Sequence, residues 1–267
     1  MKLTFLGTSH GIAEKHAFTS STVVTVNGKH YIIDAGAPIM TLLQNHNLKF
    51  TDVKGIFITH PHSDHYMGLV EFTSQMNAFP HFKDVNIPAY VPDGDFVKRM
   101  MYFLTGKEEI NPIIKFDKQF SNGNYHSVPY YSRVAYSVYT DGVIFNDENV
   151  KITAVKNMHV DNSYSFIVET KDKLGVFSGD LRMNMPDYPN VLLNSQKPID
   201  FVVLEGAHTK LNTPEIIEIL KNTKTKNMLV NHRYNVVNPD EEMLDLKNTL
   251  SPYFNFKTVC DNDVLEF

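Results

Sequence analysis

The chain opens on alternating polar and apolar positions, Lys2-Leu3-Thr4-Phe5-Leu6, the period of a half-buried strand. Two runs rich in β-branched residues, Thr22 to Val26 and Tyr31 to Ile33, flank Asn27-Gly28. Both central residues of such a turn need positive φ, so the pattern predicts a hairpin. Ala37 to Asn45 reads as a short helix with Pro38 in its opening turn. Gly55-Ile56-Phe57-Ile58-Thr59 is a continuous apolar run of strand length, as expected of a strand buried on both faces and covered by helices. The order then recurs. Ser163 to Val168, the polar turn Lys171-Asp172-Lys173 and Gly175 to Asp180 echo Ser20 to Val26, Asn27-Gly28-Lys29 and His30 to Asp34. Phe201 to Leu204 echoes Ile56 to Thr59, and a helix-like Pro214 to Leu220 follows.

The chain is therefore expected to be one α/β domain over 1–267, built from two strand-rich halves by internal duplication. Residues 83–150 fit the repeat less well and are expected to be an elaboration of that domain. Within it, Asp93-Gly94-Asp95 caps a helix running through Leu104. Residues 122–140 carry Tyr125, His126, Tyr130, Tyr131, Tyr136 and Tyr139. Tyr136 and Tyr139 suit core-packed strands, while Tyr130 and Tyr131 beside Pro129 suit a lid or a subunit contact, which admits a homodimer.

Composition narrows the class. With 42% apolar and 21% charged residues, the chain is an ordinary globular protein and not a disordered or collagenous one. The 25 Lys+Arg against 30 Asp+Glu, net −5, do not supply the broad positive surface that sequence-independent nucleic-acid binding needs. The single cysteine, Cys260, excludes an intramolecular disulfide, and no apolar run approaches the ~20 residues that span a bilayer. A cytoplasmic location without membrane contact is expected.

The chemistry is concentrated in Thr59-His60-Pro61-His62-Ser63-Asp64-His65. Side chains two apart on an extended backbone share a side, so His60 and His62 can converge on one cation, while Asp64 and His65 lie past the strand end and can face elsewhere. Mixed imidazole and carboxylate donors suit zinc, manganese or iron, whereas calcium and magnesium prefer oxygen alone.

This His-x-His-x-Asp-His run after a strand resembles the signature of the metallo-β-lactamase-fold hydrolases. The resemblance extends through Phe5-Leu6-Gly7-Thr8-Ser9-His10-Gly11, Ile32-Ile33-Asp34-Ala35-Gly36, the isolated His159, Ser178-Gly179-Asp180 and a histidine ending a late strand. It implies an αββα four-layer sandwich of two β-sheets flanked by helices. It also implies two divalent transition-metal ions, zinc by preference: His60, His62 and His159 on one, Asp64, His65 and His232 on the other, with Asp180 bridging. His208 is the rival for the last position. Asp34 fits a supporting carboxylate better than a ligand.

The Gly-Thr-Ser opening, Ser178-Gly179-Asp180 and Glu205 look most like the ribonuclease Z-like phosphodiesterase branch, although Gly206-Ala207-His208 departs from that branch's Glu-Ala-Thr segment. The implied reaction is hydrolysis by a metal-activated water, with Asp64 or Asp180 orienting the nucleophile and Glu205 and His208 as a supporting or proton-transfer pair. No long basic, Gly-rich arm is visible, so transfer RNA is not favoured and a small or nucleotide-like phosphodiester is expected. The alternatives are a thioester, lactone or other ester hydrolase of the same fold, and a non-catalytic metal-binding sensor. An exported lactamase would want a cysteine ligand. A diiron redox member would commonly replace His62 by glutamate.

Overall fold

The computed structural model describes residues 1–78, 82, 84–106, 133–182, 197–233 and 239–267. In chain order the elements are β1 (Lys2–Gly7), β2 (Ser21–Val26), β3 (Lys29–Ile33), α1 (Ile39–Asn45), β4 (Val53–Phe57), α2 (Ser63–Ala78), β5 (Ile87–Val91), α3 (Gly94–Thr105), β6 (Val134–Val138) and β7 (Gly142–Asn146). They continue as β8 (Lys151–Lys156), β9 (Tyr164–Glu169), β10 (Leu174–Phe177), β11 (Phe201–Glu205), α4 (Pro214–Lys221), β12 (Asn227–Asn231), α5 (Pro239–Leu250), β13 (Asn255–Thr258) and β14 (Val264–Glu266).

The strands form two seven-stranded sheets, ordered β14-β1-β2-β3-β4-β5-β6 and β13-β12-β11-β10-β9-β8-β7. Each has three antiparallel pairings followed by three parallel ones: β14 to β3 and then β3 to β6 in the first, β7 to β10 and then β10 to β13 in the second. The duplication expected from the hairpins is thus a repeat of topology. Ile33 pairs with Phe57 as Phe177 pairs with Val203, which places Thr59 and Glu205 at equivalent positions.

Period-two alternation sorts the strand residues into layers. Phe5, Val24, Tyr31, Ile33 and Phe57 face Ile152, Phe166, Phe177, Phe201 and Val203 between the sheets. Val23, Ile32, Ile56 and Ile58 turn the other way to meet α1, α2 and α3 through Leu43, Leu69, Phe72, Val97 and Met101. On the far side, Val176, Val202, Leu204 and Val230 pack on Leu220 of α4 and Leu246 and Leu250 of α5. The result is the αββα metallo-β-lactamase fold expected from the sequence.

Local chemistry explains the elements that frame the site. Asn27 and Gly28 adopt φ of 51° and 74°, as the hairpin demands. Asp93 caps α3, its side chain accepting from the Asp95 N–H at 2.9 Å. Of the segment expected as an elaboration, 87–91, 134–138 and 142–146 are strands of the two sheets, while 83 and 107–132 lie outside the described residues. Tyr125, His126, Tyr130 and Tyr131 fall in that gap. Tyr136 and Tyr139 are buried, as core packing requires, and the Tyr139 hydroxyl donates to the Ile58 carbonyl at 2.6 Å, fixing the strand end that leads into the histidines.

Candidate metal centre

Every candidate ligand sits just beyond the end of a strand or in the first turn of a helix. His60 and His62 lie in the turn between β4 and α2, Asp64 and His65 open α2, His159 lies between β8 and β9, Asp180 follows β10, and His232 follows β12. Asp34, just after β3, organises the first of these. Its Oδ1 accepts from the Thr59 N–H at 2.7 Å, and its Oδ2 faces His65 Nδ1 at 2.8 Å. The Thr59 hydroxyl meets His60 Nδ1 at 3.0 Å. Both imidazoles are thus held by Nδ1, and their Nε2 atoms are turned toward Asp180. Asn157 joins the loops of the second half by donating to the carbonyls of Ser178 and Asp180 at 3.3 and 3.1 Å.

Two donor sets result. In one, His62 Nδ1 lies 3.0 Å from His60 Nε2 and 3.3 Å from His159 Nε2, and Asp180 Oδ2 lies 3.5 and 3.6 Å from the same two Nε2 atoms. In the other, His65 Nε2 lies 3.3 Å from Asp64 Oδ2 and 3.4 Å from Asp180 Oδ1, while His232 Nε2 lies 3.3 Å from Asp180 Oδ2 and 3.7 Å from Asp64 Oδ2. Both oxygens of Asp180, His65 Nε2 and both ring nitrogens of His232 are buried with no hydrogen-bond partner. A fold does not leave so many buried donors and acceptors unpaired without something for them to hold. The spacing and chemistry of these clusters fit metal ions.

The electrostatics favour the ligand forms of His60, His62, His159, Asp64 and Asp180. At His65 burial is outweighed by Asp180 and Asp34, which raise its pKa well above the ordinary histidine range, and a bound cation would displace that proton. Burial, reinforced by the charge of His65, pushes His60 well below the ordinary histidine range, and burial lowers His62 and His159 as well. Burial opposes the charge on Asp180, yet His232 and His65 outweigh it and hold the carboxyl well below the usual carboxylate range. Asp64 is depressed in the same way, with burial opposed by His65 and His232, and the Gly11 N–H donates to its Oδ2 at 3.1 Å.

Glu205, at the end of β11, is buried and spends its carboxylate on the following turn. Its Oε2 accepts from the N–H groups of Ala207 and His208, both at 2.8 Å, and its Oε1 accepts from the Thr209 hydroxyl at 2.6 Å. His208 Nδ1 lies 3.6 Å from Glu205 Oε2 and 3.5 Å from Asp180 Oδ2. The nearby Glu205 carboxylate, with that of Asp180, raises the His208 pKa above the ordinary value, against the opposing effect of burial. Of the two rivals, His232 therefore faces both carboxylates of the second set, and His208 faces only Asp180. His10 is the residue whose place in the site the sequence did not reveal. Its Nε2 is 3.4 Å from His208 Nε2, its ring centroid is 4.9 Å from that of His232, and its only advance signal was its position in the Gly7 to Gly11 stretch.

A model of the family described as anti-Pycsar protein Apyc1 matches residues 1–247. The chain belongs to that family. Like the Apyc1 family match, the curated relatives fall within the expected superfamily. The ribonuclease Z of Staphylococcus carnosus (strain TM300) is 24% identical over a 307-residue alignment that covers 100% of both chains. That of Sulfurisphaera tokodaii is 25% identical over 178 residues, and the chain spans about half the length of this and other curated relatives, 51% in this case. Among solved structures, the metallo-β-lactamase fold protein YhfI from Bacillus subtilis superposes with a TM-score of 0.71 at 17% identity, covering 100% of this chain and 99% of the other. The short form of human tRNase Z gives 0.67 at 19% identity, with 100% and 99% covered. Relatives named ribonuclease Z lend no support to the expectation that transfer RNA is disfavoured. Among the described residues, no helix is long and apolar enough to cross a membrane.

Proposed function

We propose that this member of the Apyc1 family is a dinuclear metal-dependent hydrolase acting on a small, nucleotide-like phosphodiester such as a cyclic nucleotide. The observation that carries the reading is the pair of donor sets sharing Asp180. His60, His62, His159 and Asp180 would hold one ion, and Asp64, His65, His232 and Asp180 the other. When bound, two zinc ions supply Lewis-acid polarisation of a phosphoryl oxygen and a water acidic enough to attack near neutral pH. Asp64, steadied by the Gly11 N–H, orients the attacking water through its carboxylate. Glu205 holds the turn that carries His208. With Nδ1 turned to the carboxylates of Glu205 and Asp180, His208 has Nε2 left to pass a proton to the departing oxygen.

A phosphodiester is supported by relatives named for a ribonuclease, and a small one by the net charge of −5. The second reading is a transfer RNA precursor, favoured by the full-length alignment with the Staphylococcus carnosus enzyme. Elemental analysis of chelator-free protein, with a panel of cyclic nucleotides, a transfer RNA precursor, thioesters and lactones, separates these readings. About two ions per chain and turnover of cyclic nucleotides are expected. No metal, with no activity restored by zinc, manganese or iron, would refute the hydrolase reading. Cleavage of the precursor alone would move the substrate to RNA.

A further inference from the structure

His10 lies outside both donor sets, yet it makes a pair with His208 that ordinary hydrogen bonding explains poorly. Their Nε2 atoms are 3.4 Å apart, beyond the usual upper limit of about 3.2 Å for a nitrogen-donated hydrogen bond. A tetrahedral cation with bonds to imidazole of about 2.0–2.1 Å holds its two nitrogens about 3.3–3.4 Å apart. The centre itself offers an internal comparison, because His62 Nδ1 and His159 Nε2, assigned above to one ion, are 3.3 Å apart.

Two further observations point the same way. His208 turns Nδ1 toward carboxylate oxygens, 3.5 Å from Asp180 Oδ2 and 3.6 Å from Glu205 Oε2, so the ring presents Nε2 to His10. Next to the pair, His232 is 3% exposed, its Nδ1, which the second donor set does not use, has no hydrogen-bond partner, and its ligand atom lies within 4.8 Å of those of His10 and His208.

We propose that His10 and His208 form a third, weaker site for a borderline divalent cation such as zinc, beside the two-ion centre and walled by His232. Two firm donors instead of four make this ion the most easily lost of the three. Its occupant takes the Nε2 lone pair of His208, the atom assigned above to proton donation. Excess zinc therefore inhibits the enzyme while sub-stoichiometric zinc activates it. The inference rests on the two-ion reading for the identity of the blocked step, but not for the existence of the site.

Equilibrium dialysis of the full chain against rising zinc tests it. Wild type is expected to saturate in two stages, two tight ions and then one weak ion. His10→Ala should lose the weak ion and keep the tight pair, and His10→Gln, which keeps side-chain bulk without the imidazole, should behave the same. Inhibition by excess zinc should vanish in both variants. A wild type that stops at two ions, or a third ion that persists in His10→Ala, overturns the proposal. A chain that never binds the tight pair refutes the hydrolase reading instead, a result that the dialysis curve keeps distinct.

Discussion

At the scale of single residues, the two late histidines divide the labour. His232 faces both Asp64 and Asp180, so His232→Ala should lower metal occupancy by about one ion per chain. His208→Ala should leave both tight ions in place and reduce turnover by roughly 10²–10⁴-fold, the usual worth of a general acid. Paired elemental analysis and kinetics check this, and the reverse pattern would exchange the roles. Asp34 acts through His65. Asp34→Asn, which keeps an acceptor for the Thr59 N–H and tolerates the φ of 58° but removes the carboxylate from His65 Nδ1, is expected to weaken metal affinity by roughly 10–100-fold, measurable by competition with a chromophoric chelator. Most of the candidate centre was legible because four donors crowd into six positions, His60 to His65. His10 was not, because a lone histidine carries no spacing, and its neighbours His208 and His232 come from the other end of the chain.

At the scale of elements, α2 is held closer to the first sheet than its apolar pattern suggests. A Cβ added at Gly68 would lie 2.4 Å from the Gly36 carbonyl oxygen and 2.8 Å from that of Ala35, and the His65 carbonyl accepts from the Ala35 N–H at 2.7 Å. Gly68→Ala should cost about 1–3 kcal/mol through overpacking, read as a lower Tm. It should also weaken metal binding, since Asp64 and His65 ride on the displaced turn. Periodicity missed this helix because Gly68 and Thr73 occupy buried positions that an apolar pattern does not register. The strands were read more easily, since alternation assigns each residue to one layer.

The β2–β3 hairpin carries a titration of its own. Burial, only partly offset by Asp52, lowers the pKa of His30, whose Nδ1 meets the Thr25 hydroxyl at 3.0 Å. The unfolded chain therefore binds this proton more readily than the folded one. The stabilising contribution is complete above the unfolded value of about 6.5 and is lost as pH falls through the folded pKa. In His30→Gln, the fall in Tm between pH 7.5 and 5.5 should be shallower than in wild type. Parallel slopes would show that His30 contributes nothing to the acid response.

At the scale of the whole molecule, each proposed ion takes ligands from both halves: His60 and His62 with His159 and Asp180, and Asp64 and His65 with Asp180 and His232. Bound only by the folded state, an ion at a thousandfold excess over its Kd adds about 4 kcal/mol. Removing both with a chelator should therefore lower Tm by on the order of 10 °C or more, and zinc should restore it. An unchanged melting curve would mean that the halves are held by the inter-sheet core alone. The duplication was visible in the two hairpins. The return of β14 to the edge of the first sheet was not, because Val264–Glu266 is too short to show an alternation.

That last strand has a consequence for chain order. The Met1 ammonium donates to the Phe267 carbonyl at 3.0 Å, and the Phe267 N–H donates to the Met1 carbonyl at 2.8 Å. Residues 1 and 267 are thus the two sides of one ladder rung, and a short peptide could join them without moving any ligand. Opened instead at Asn27-Gly28, on the exposed tip of the hairpin, the same closed circuit of strands would read in a new order around an unaltered centre. The architecture belongs to the circuit and not to the order in which its strands are strung.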